Sequence, residues 1–379
     1  MRKTLRVLFT GGGSGGHVYP LLAVTQELQR IAIDEKLNLQ LYYLGPHDHY
    51  SVMLERNGIN VRWLTAGKIP RFASGRHFIE IPKLLLSIPQ AFFKVFFIMP
   101  DVIFSKGGTG AFPVILAGWF YRIPRLIHES DAVPGLNSIL SGRFATRVAV
   151  SFESALRYFN PSIAACLGNP VRLELLRERM DKSLAKEKLG FSEKEPLTFV
   201  FCGSQGSQRI NEFILTNLPA ILKETQLLHQ TGYSNFDEVE KLSRAALSGV
   251  PVTTEAKHRY HALPSLDDTD LPMALSAADL VVGRAGSSVF EFAAFGKPAI
   301  LIPLPESAND HQRMNAFEFA KGGAAVIIEE TNLLPGLFIK QLHDIIGNPD
   351  VLERMSQASA AFFKPNAAHA IAEELMRIA

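Results

Sequence analysis

A glycine-rich loop directly follows the first apolar run of the chain. Residues 5–9 (LRVLF) lead into TGGGSGGHVYP at residues 10–20 and then into a helix-like run, LLAVTQELQRI, at residues 21–31. A short strand, a loop with five glycines in six positions and a helix are typical of the start of a parallel-sheet domain. Glycines at this point permit positive φ angles and let a phosphate approach backbone N–H groups. The opening therefore predicts an α/β fold with an anion-binding loop.

Short apolar runs alternate with helix-like segments along the whole chain, and the opening pattern recurs in the second half. The predicted strands are residues 5–9, 39–44, 61–64, 101–104, 125–128, 147–150, 197–202, 227–230, 279–282, 299–303 and 324–328. Such strands, separated by helices, indicate parallel sheets covered on both faces. We predict two Rossmann-like, doubly wound domains at residues 1–167 and 168–364. The helical tail at about 365–379 could pack on either domain, including back on the first.

Composition and charge exclude several classes of protein. A chain of 379 residues with 47% hydrophobic and 20% charged residues is typical of a globular protein of two domains. Its two cysteines, Cys166 and Cys202, lack zinc-type spacing and fit reduced thiols of a cytosolic protein. The apolar run before the first glycines is too short for a signal peptide.

The charge is unevenly distributed. Residues 1–167 carry 18 Lys and Arg against 10 Asp and Glu, a net +8, whereas residues 168–379 carry 21 against 27, a net −6. A basic first half suits an anionic lipid surface or a pyrophosphate. Because no nucleic-acid motif occurs and aromatic residues are not interleaved with the basic ones, we expect no nucleic-acid partner.

Four small-residue loops follow predicted strands. They are residues 10–17, 105–113 (SKGGTGAFP), 203–208 (GSQGSQ) and 283–288 (GRAGSS). Ligands of open parallel sheets bind beyond the carboxyl ends of the strands, so the four loops predict a ligand held across a cleft between two sheets. The first loop satisfies GxGxxG, but the second strand ends without the acidic residue that would hold a dinucleotide ribose. A dinucleotide is therefore disfavoured.

Together with these loops, further motifs resemble the MurG family of peptidoglycan glycosyltransferases. The matching stretches are GGGSGGHVYPLLAV, SKGGTGAFP, IPRLIHES with PGLNS, GNPVR, GSQGSQRIN, ADLVVGRAGSS and HQRMNA followed by AKGGAAVIIE. The resemblance implies the GT-B architecture of two Rossmann-like domains facing a cleft. It also implies transfer of N-acetylglucosamine from UDP-GlcNAc to undecaprenyl-pyrophosphoryl-MurNAc-pentapeptide, without a cofactor or metal.

Residue roles follow from the same resemblance. The residues implied to bind UDP-GlcNAc are Ser14, Gly15, Gly16, Asp131, Arg172, Ser204, Gly286, Ser287, Ser288, Glu291, Gln312 and Asn315. Those implied on the acceptor side are Gly107, Gly108, Thr109 and His128. Within the donor set, Glu291 would hold the ribose hydroxyls, Arg172 the uracil–phosphate region, and Gln312 and Asn315 the GlcNAc hydroxyls. The Asp268-Thr269-Asp270 run resembles a metal-binding DxD, but we interpret it as solvated or capping.

The expected reaction is a single displacement with inversion at the anomeric carbon, which needs a base to accept the proton of the acceptor hydroxyl. His17 is the first candidate, with Glu129 and Asp131 as rivals, and the alternative is that His17 only binds phosphate. The chain departs from the family pattern at Thr109, at Ser130-Asp131, at Asn137 and in a shorter loop before Glu291. Most of these departures lie on the acceptor side, so donor identity is the safer expectation.

Residues 82–100 (PKLLLSIPQAFFKVFFIMP) are almost entirely apolar but too short and too interrupted to span a bilayer. They fit either a core-packed helix or a surface patch that dips into the membrane. In the second case Arg71, Arg76, Lys83 and Lys94 would form a basic rim on anionic headgroups. That interpretation places the enzyme peripherally on the cytoplasmic face of a bacterial plasma membrane.

Several other functions share parts of this pattern. A UDP-GlcNAc 2-epimerase-like isomerase would use a similar frame without a lipid acceptor, and a glycolipid-forming glycosyltransferase would use another acceptor. A UDP-sugar sensor and a nicotinamide oxidoreductase complete the alternatives.

Overall fold

The computed structural model describes residues 4–65, 77–203, 205–248, 258–267 and 269–379, without the side chains of residues 77–81 and 84. The chain divides into two compact units, one of residues 1–172 with 364–379 and one of residues 173–363. Arg172 therefore belongs to the first unit. Among the sequence-predicted positions, Arg71, Arg76, Ser204 and Asp268 lie outside the described residues.

The first unit contains a seven-stranded parallel sheet in the order β3-β2-β1-β4-β5-β6-β7. Its strands are β1 Thr4–Gly12, β2 Asn38–Gly45, β3 Ile59–Trp63, β4 Val102–Gly108, β5 Arg125–Glu129, β6 Arg147–Val150 and β7 Ala164–Cys166. Its helices are α1 Gly15–Asp34, α2 Ser51–Arg56, α3 His77–Ile98, α4 Ala111–Phe120, α5 Leu136–Gly142 and α15 Ala367–Ile378, with a 3₁₀ turn at Glu153–Tyr158.

Alternation along the strands builds two cores in this unit. Phe9 and Phe104 pack with α1 and α15 on one face, while Leu8 and Ile103 pack with α3 and α4 on the other. Side chains of adjacent residues in a strand point to opposite faces, so a strand buried on both sides is apolar throughout. The C-terminal helix thus packs against α1, where His369 and Glu27 pair at 3.2 Å.

The second unit contains a six-stranded parallel sheet in the order β10-β9-β8-β11-β12-β13. Its strands are β8 Leu197–Phe201, β9 Gln226–Gln230, β10 Tyr260–Leu263, β11 Leu280–Gly283, β12 Ala299–Leu301 and β13 Ala325–Ile327. Its helices are α6 Leu173–Arg177, α7 Lys182–Lys188, α8 Gln208–Glu224, α9 Phe236–Ser248, α10 Asp270–Ala277, α11 Val289–Ala294, α12 His311–Lys321, α13 Pro335–Ile346 and α14 Pro349–Phe362. Short 3₁₀ turns occupy Ala308–Asp310 and Glu330–Asn332.

Every strand segment predicted from the sequence overlaps an observed strand, and the doubly wound α/β fold is confirmed. Two strands were missed, β7 and β10, which lie at sheet edges and are three and four residues long. Predicted strands of the same length, such as β12 (AIL) and β6 (RVAV), contain Val or Ile, whereas β7 (AAC) and β10 (YHAL) contain neither.

The apolar segment 82–100 lies largely in α3, and its two sides differ. Ala91, Val95 and Ile98 are buried against the sheet, so one side is a core-packed face. The opposite side exposes large apolar residues, namely Leu85, Leu86, Phe93, Phe96 and Phe97. Within the described part of the chain, no helix is long and apolar enough to cross a membrane.

Candidate active site

The loop between β1 and α1 brings a serine and a histidine together. Gly11 and Gly13 have φ angles of +133° and +92°, which turn the chain sharply before the helix. Ser14 is the N-cap of α1, and its hydroxyl lies 2.8 Å from His17 Nδ1. Since Ser14 makes no side-chain cap hydrogen bond, its hydroxyl is used to orient the imidazole. Ser14, Gly15, Gly16 and His17 are half-buried in the first turn of α1.

The loop after β4 lies against the β1 loop. A Cβ added to Gly108, whose φ is +81°, would stand 2.6 Å from the carbonyl oxygen of Gly12 and 3.3 Å from Cδ2 of His17. Only glycine permits this approach, because the contact is with rigid backbone. Thr109 is beside Gly13, with its Oγ1 3.7 Å from a Cβ built there. The predicted acceptor-side loop and the predicted base are therefore neighbours at the carboxyl ends of β1 and β4.

The end of β5 places two predicted residues inside the protein. His128 is fully buried, and its Nε2 lies 2.9 Å from the carbonyl oxygen of Gly168. Glu129 is also buried, and its carboxylate accepts hydrogen bonds from Asp131 N at 2.9 Å and Gly135 N at 3.3 Å. Glu129 thereby shapes the turn that carries Asp131, which is half-buried. His128 thereby joins the end of β5 to Gly168, which follows β7.

Lys106, which the sequence analysis did not assign a role, is buried at the same edge. Burial lowers the pKa of its ammonium to about 8, although Glu129 and Asp131 act to raise it. Burial, then Asp131, raise the pKa of Glu129, and Lys106 opposes them. Burial and Lys106 lower the pKa of His128 well below its usual range, so its ring is neutral. The only sequence signal was a basic residue inside the SKGGTGAFP motif.

Arg172 packs in the first unit, next to α1. Its guanidinium carbon lies 3.9 Å from the centroid of the Tyr19 ring, a cation–π contact. The side chain is almost fully buried. Sequence analysis grouped this arginine with the donor-binding residues, most of which lie in the second unit.

In the second unit, the loop after β8 makes a close backbone contact with the loop after β9. Gly206 has a φ of +74°, and a Cβ added to it would stand 2.1 Å from the carbonyl oxygen of Thr231. The loop ends at Ser207, the N-cap of α8. The first-turn N–H groups of that helix carry a partial positive charge suited to an anion.

Arg284, directly after β11, joins several loops at the carboxyl ends of the strands of this sheet. Its Nη2 donates to Ser207 Oγ at 2.8 Å, and its Nη1 donates to the carbonyl oxygen of Ile302 at 3.0 Å. It also forms a half-buried ion pair with Glu330 at 2.5 Å, and Arg209 pairs with the same carboxylate. Burial alone would raise the pKa of Glu330, but the hydrogen bonds from Arg209 and Arg284 hold it below its usual range.

The GRAGSS segment leads into α11, which begins at Val289 with Ser288 as its N-cap. Glu291 is half-buried in the first turn of that helix. A Cβ built on Gly286 would have no atom within 4 Å. This loop therefore has open space beside its backbone.

Two residues of α12 brace this edge. Asn315 is fully buried, and its Nδ2 donates to the carbonyl oxygen of Ala285 at 3.0 Å. Gln312 Oε1 accepts from the backbone N–H of Leu304 at 3.1 Å. Asn315 thus fixes the loop before Gly286 from behind, and Gln312 fixes the segment after β12.

Within the described ranges, no group of three or more His, Cys, Asp or Glu side chains is placed to hold a metal ion. Beside the DxD-like run, Asp267 Oδ1 accepts from the backbone N–H groups of Thr269 and Asp270 at 2.8 and 2.9 Å. This carboxylate therefore caps the start of α10.

Similarity to known proteins covers almost the whole chain. Residues 7–150 match the glycosyltransferase family 28 N-terminal domain, and residues 197–371 match the glycosyltransferase family 28 C-terminal domain. A Bacillus cereus protein named UDP-N-acetylglucosamine--N-acetylmuramyl-(pentapeptide) pyrophosphoryl-undecaprenol N-acetylglucosamine transferase 2 is 34% identical over 91% of this chain and 93% of its own length. The chain belongs to the MurG family of glycosyltransferases.

Solved structures agree with this assignment. The crystal structure of Acinetobacter baumannii MurG superposes with a TM-score of 0.74 and 26% identity, covering 98% of this chain and 99% of that one. The GT-B fold expected from the MurG resemblance is thereby confirmed. A UDP-GlcNAc 2-epimerase from Neisseria meningitidis superposes with a TM-score of 0.68 at 15% identity, covering 99% of this chain and 100% of that one. That likeness shows a shared fold alone.

Proposed function

We propose that the protein transfers N-acetylglucosamine from UDP-GlcNAc to undecaprenyl-pyrophosphoryl-MurNAc-pentapeptide, the step from lipid I to lipid II in peptidoglycan synthesis. The observation that carries this is 34% identity, over nine-tenths of both chains, to a transferase named for that reaction. The glycine loops quoted for the family follow β1, β4, β8 and β11, where ligands of parallel sheets bind. An epimerase is disfavoured, because only the fold is shared at 15% identity.

The donor is assigned mainly to the second unit. The N-terminus of α8 faces the end of β8 and can meet the diphosphate with backbone N–H groups in place of a metal ion. Open space at Gly286, together with Ser287 and Ser288, suits the approach of a phosphate or sugar. Glu291 can accept hydrogen bonds from two vicinal ribose hydroxyls at once. Ser204, Gln312, Asn315 and Arg172 complete the proposed donor set, Asn315 acting through the loop it braces.

The acceptor is assigned to the first unit, at the edge formed by Gly107, Gly108 and Thr109. His17 lies beside this loop and is our candidate for the general base. If Nδ1–H donates to Ser14 Oγ, the lone pair that accepts the proton is on Nε2. Glu129 is a weaker candidate than the sequence implied, since it is buried and its carboxylate already holds two backbone N–H groups. Asp131 remains the rival.

We also propose that the protein acts peripherally on the cytoplasmic leaflet of the bacterial plasma membrane. Leu85, Leu86, Phe93, Phe96 and Phe97 of α3, with Trp119 and Phe120 of α4, form an exposed apolar face, here named the α3–α4 patch. Such a face, on a half of the chain with a net charge of +8, suits an anionic surface. Lys94, one of the predicted rim residues, donates to the Trp63 carbonyl oxygen and so joins α3 to the end of β3.

Incubation with radiolabelled UDP-GlcNAc, with and without a short-chain lipid-linked MurNAc-pentapeptide, tests the proposed reaction. We expect label in the lipid product only when the acceptor is present. Conversion of the nucleotide sugar without acceptor would establish an isomerase, and transfer to a different lipid would establish another glycolipid-forming transferase. Binding without turnover in either mixture would leave only a sensor.

A further inference from the structure

Lys106 is an unusual residue for the interior of a sheet. Its side chain lies in β4 with only 2% of the residue exposed, and its Nζ has no hydrogen-bond partner in the described part of the chain. A buried ammonium without a partner carries a large desolvation cost. The fold retains this cost at the strand end where the glycine loops meet, which points to a role for the charge itself.

Strand register places Lys106 beside the acidic turn that follows β5. Ser105 of β4 pairs with Ile127 of β5, so the next residues, Lys106 and His128, are neighbours on the same face. Glu129 follows at once and holds the turn of Asp131 through the backbone N–H of that residue. The ammonium and both carboxylates therefore stand at one edge, next to the loop that contains Gly108.

The electrostatic surroundings of Lys106 are unequal in sign. Glu129 and Asp131 attract its charge, and they repel each other. His128 is neutral and contributes no positive charge, and the Tyr43 phenol on β2 stays protonated while donating to Gly11 O. His17 of α1 lies next to Gly108, with its Cδ2 3.3 Å from a Cβ built there. Two carboxylates thus face one buried cation.

We propose that Lys106 is a positioning residue of the transfer reaction, whose ammonium keeps the Glu129 carboxylate ionised, so that Glu129 holds the turn that carries Asp131 at the acceptor side. This inference rests on the proposed transferase function and names a residue that the sequence motifs left without a role. Two adjacent carboxyl groups do not readily ionise together at a buried site, because like charges oppose each other. A buried cation within their field removes that conflict. An ionised Glu129 then accepts from two backbone N–H groups and keeps the Asp131 turn in place.

The test is the pH dependence of kcat for Lys106→Met and Lys106→Arg, measured beside the wild type with saturating UDP-GlcNAc and lipid-linked acceptor. Loss of the positive charge makes Glu129 harder to ionise and weakens its hold on the Asp131 turn, so the acid limb of Lys106→Met moves toward higher pH by about one unit. In a Glu129→Gln background the same substitution leaves the acid limb where the His17 base sets it, which separates this coupling from a direct effect of Lys106 on His17. Below both limbs, this shift lowers kcat about tenfold. Lys106→Arg keeps the charge and restores the wild-type limb.

Matched readouts separate this effect from damage to the fold. The KM for UDP-GlcNAc stays near the wild-type value in both variants, because the proposed donor residues, apart from Arg172, lie in the other unit. Lys297→Met is the control: Lys297 is a half-buried lysine of the second unit whose Nζ donates to the Ala278 carbonyl oxygen at 2.8 Å. Its loss lowers the thermal midpoint without moving the acid limb.

Unchanged acid limbs in Lys106→Met, or equal displacement in Lys106→Arg, would overturn the inference while leaving the transferase assignment intact. Absence of transfer by the wild type would instead overturn the proposed function. If Lys106→Met does not fold, ¹³C NMR of the lysine side chains compares the wild type with Glu129→Gln. The Lys106 resonance should then titrate at lower pH in the variant, and identical titration would refute the coupling.

Discussion

Arg284 Nη2 donates to the Ser207 hydroxyl over 2.8 Å and thereby joins the end of β11 to the start of α8. The same guanidinium pairs with Glu330, which is half-buried and also pairs with Arg209. One cation therefore connects the two glycine-bearing loops proposed to hold the donor. The positions of both loops depend on the Arg284 guanidinium.

Arg284→Met should lower the free energy of unfolding by about 2–3 kcal/mol, because it removes a half-buried ion pair and two loop contacts while Arg209 still compensates Glu330. Affinity for UDP should fall with it, as the Ser207 loop loses its anchor. Urea unfolding and calorimetric titration with UDP measure the two effects. Lys340→Met, which breaks an exposed pair with Asp344, serves as the control and should cost about 0.5 kcal/mol or less.

His229 makes the stability of the second unit depend on pH. Its Nε2 and Nδ1 lie 3.0 Å from Asn211 Oδ1 and from the Tyr260 hydroxyl, and burial lowers its pKa to about 3. The unfolded chain takes up a proton near pH 6.5, but the folded chain does not. The contribution of His229 to the free energy of unfolding is therefore fully present above pH 6.5 and is lost as the pH falls toward 3.

Between pH 7 and pH 4.5 this single group should remove about 2–3 kcal/mol from the free energy of unfolding. His229→Asn should be less stable at pH 7 but lose correspondingly less on acidification. Urea unfolding at the two pH values gives the difference directly. Equal losses in wild type and variant would show that the imidazole stays neutral in both states or ionises in both.

The fold could be predicted from the sequence because its signals are local. The predicted strands are short, largely apolar runs rich in Val, Ile, Leu and aromatic residues, and each glycine loop follows a strand directly, so the order of elements is visible in the sequence. The missed strands β7 (AAC) and β10 (YHAL) contain no Val or Ile and therefore lack the β-branched residues that are typical of strands.

The site was predicted less completely, because burial and packing depend on distant parts of the chain. The expected donor roles of Arg172 and Asn315 stay predictions, and the contacts that position these side chains were not visible in their motifs. The Arg172 guanidinium packs on Tyr19 of α1, and Asn315 Nδ2 donates to the Ala285 carbonyl oxygen. Lys106 lies in the SKGGTGAFP motif, in which Gly107, Gly108 and Thr109 were given roles and the lysine was not. Its burial and the lack of a hydrogen-bond partner for its Nζ in the described part of the chain are visible only in the structure.

The α3–α4 patch gives a direct test of membrane association. Phe93 and Phe97 are 65% and 68% exposed, whereas Phe92 is half-buried against the core of α3 and α4. Phe93→Ser with Phe97→Ser should therefore reduce co-sedimentation with anionic phosphatidylglycerol vesicles by roughly tenfold or more, without loss of thermal stability. The matched control is Tyr233→Ser with Leu334→Ser, two residues of the second unit that are 72% and 62% exposed. Equal binding by both double variants would refute the assignment of the patch.

The strongest test of the chemistry concerns His17 and the serine that orients it. His17→Ala should lower kcat by about 10²–10⁴-fold, because the acceptor hydroxyl loses the base that takes its proton. The dissociation constant for UDP should change little, since the donor is assigned to the second unit. Ser14→Ala should cause a smaller loss of kcat, because the imidazole keeps its place but loses the partner that fixes its tautomer. A His17→Ala enzyme with near-native kcat would transfer the role to Asp131, whereas a large loss of donor affinity would reveal a phosphate-binding histidine instead.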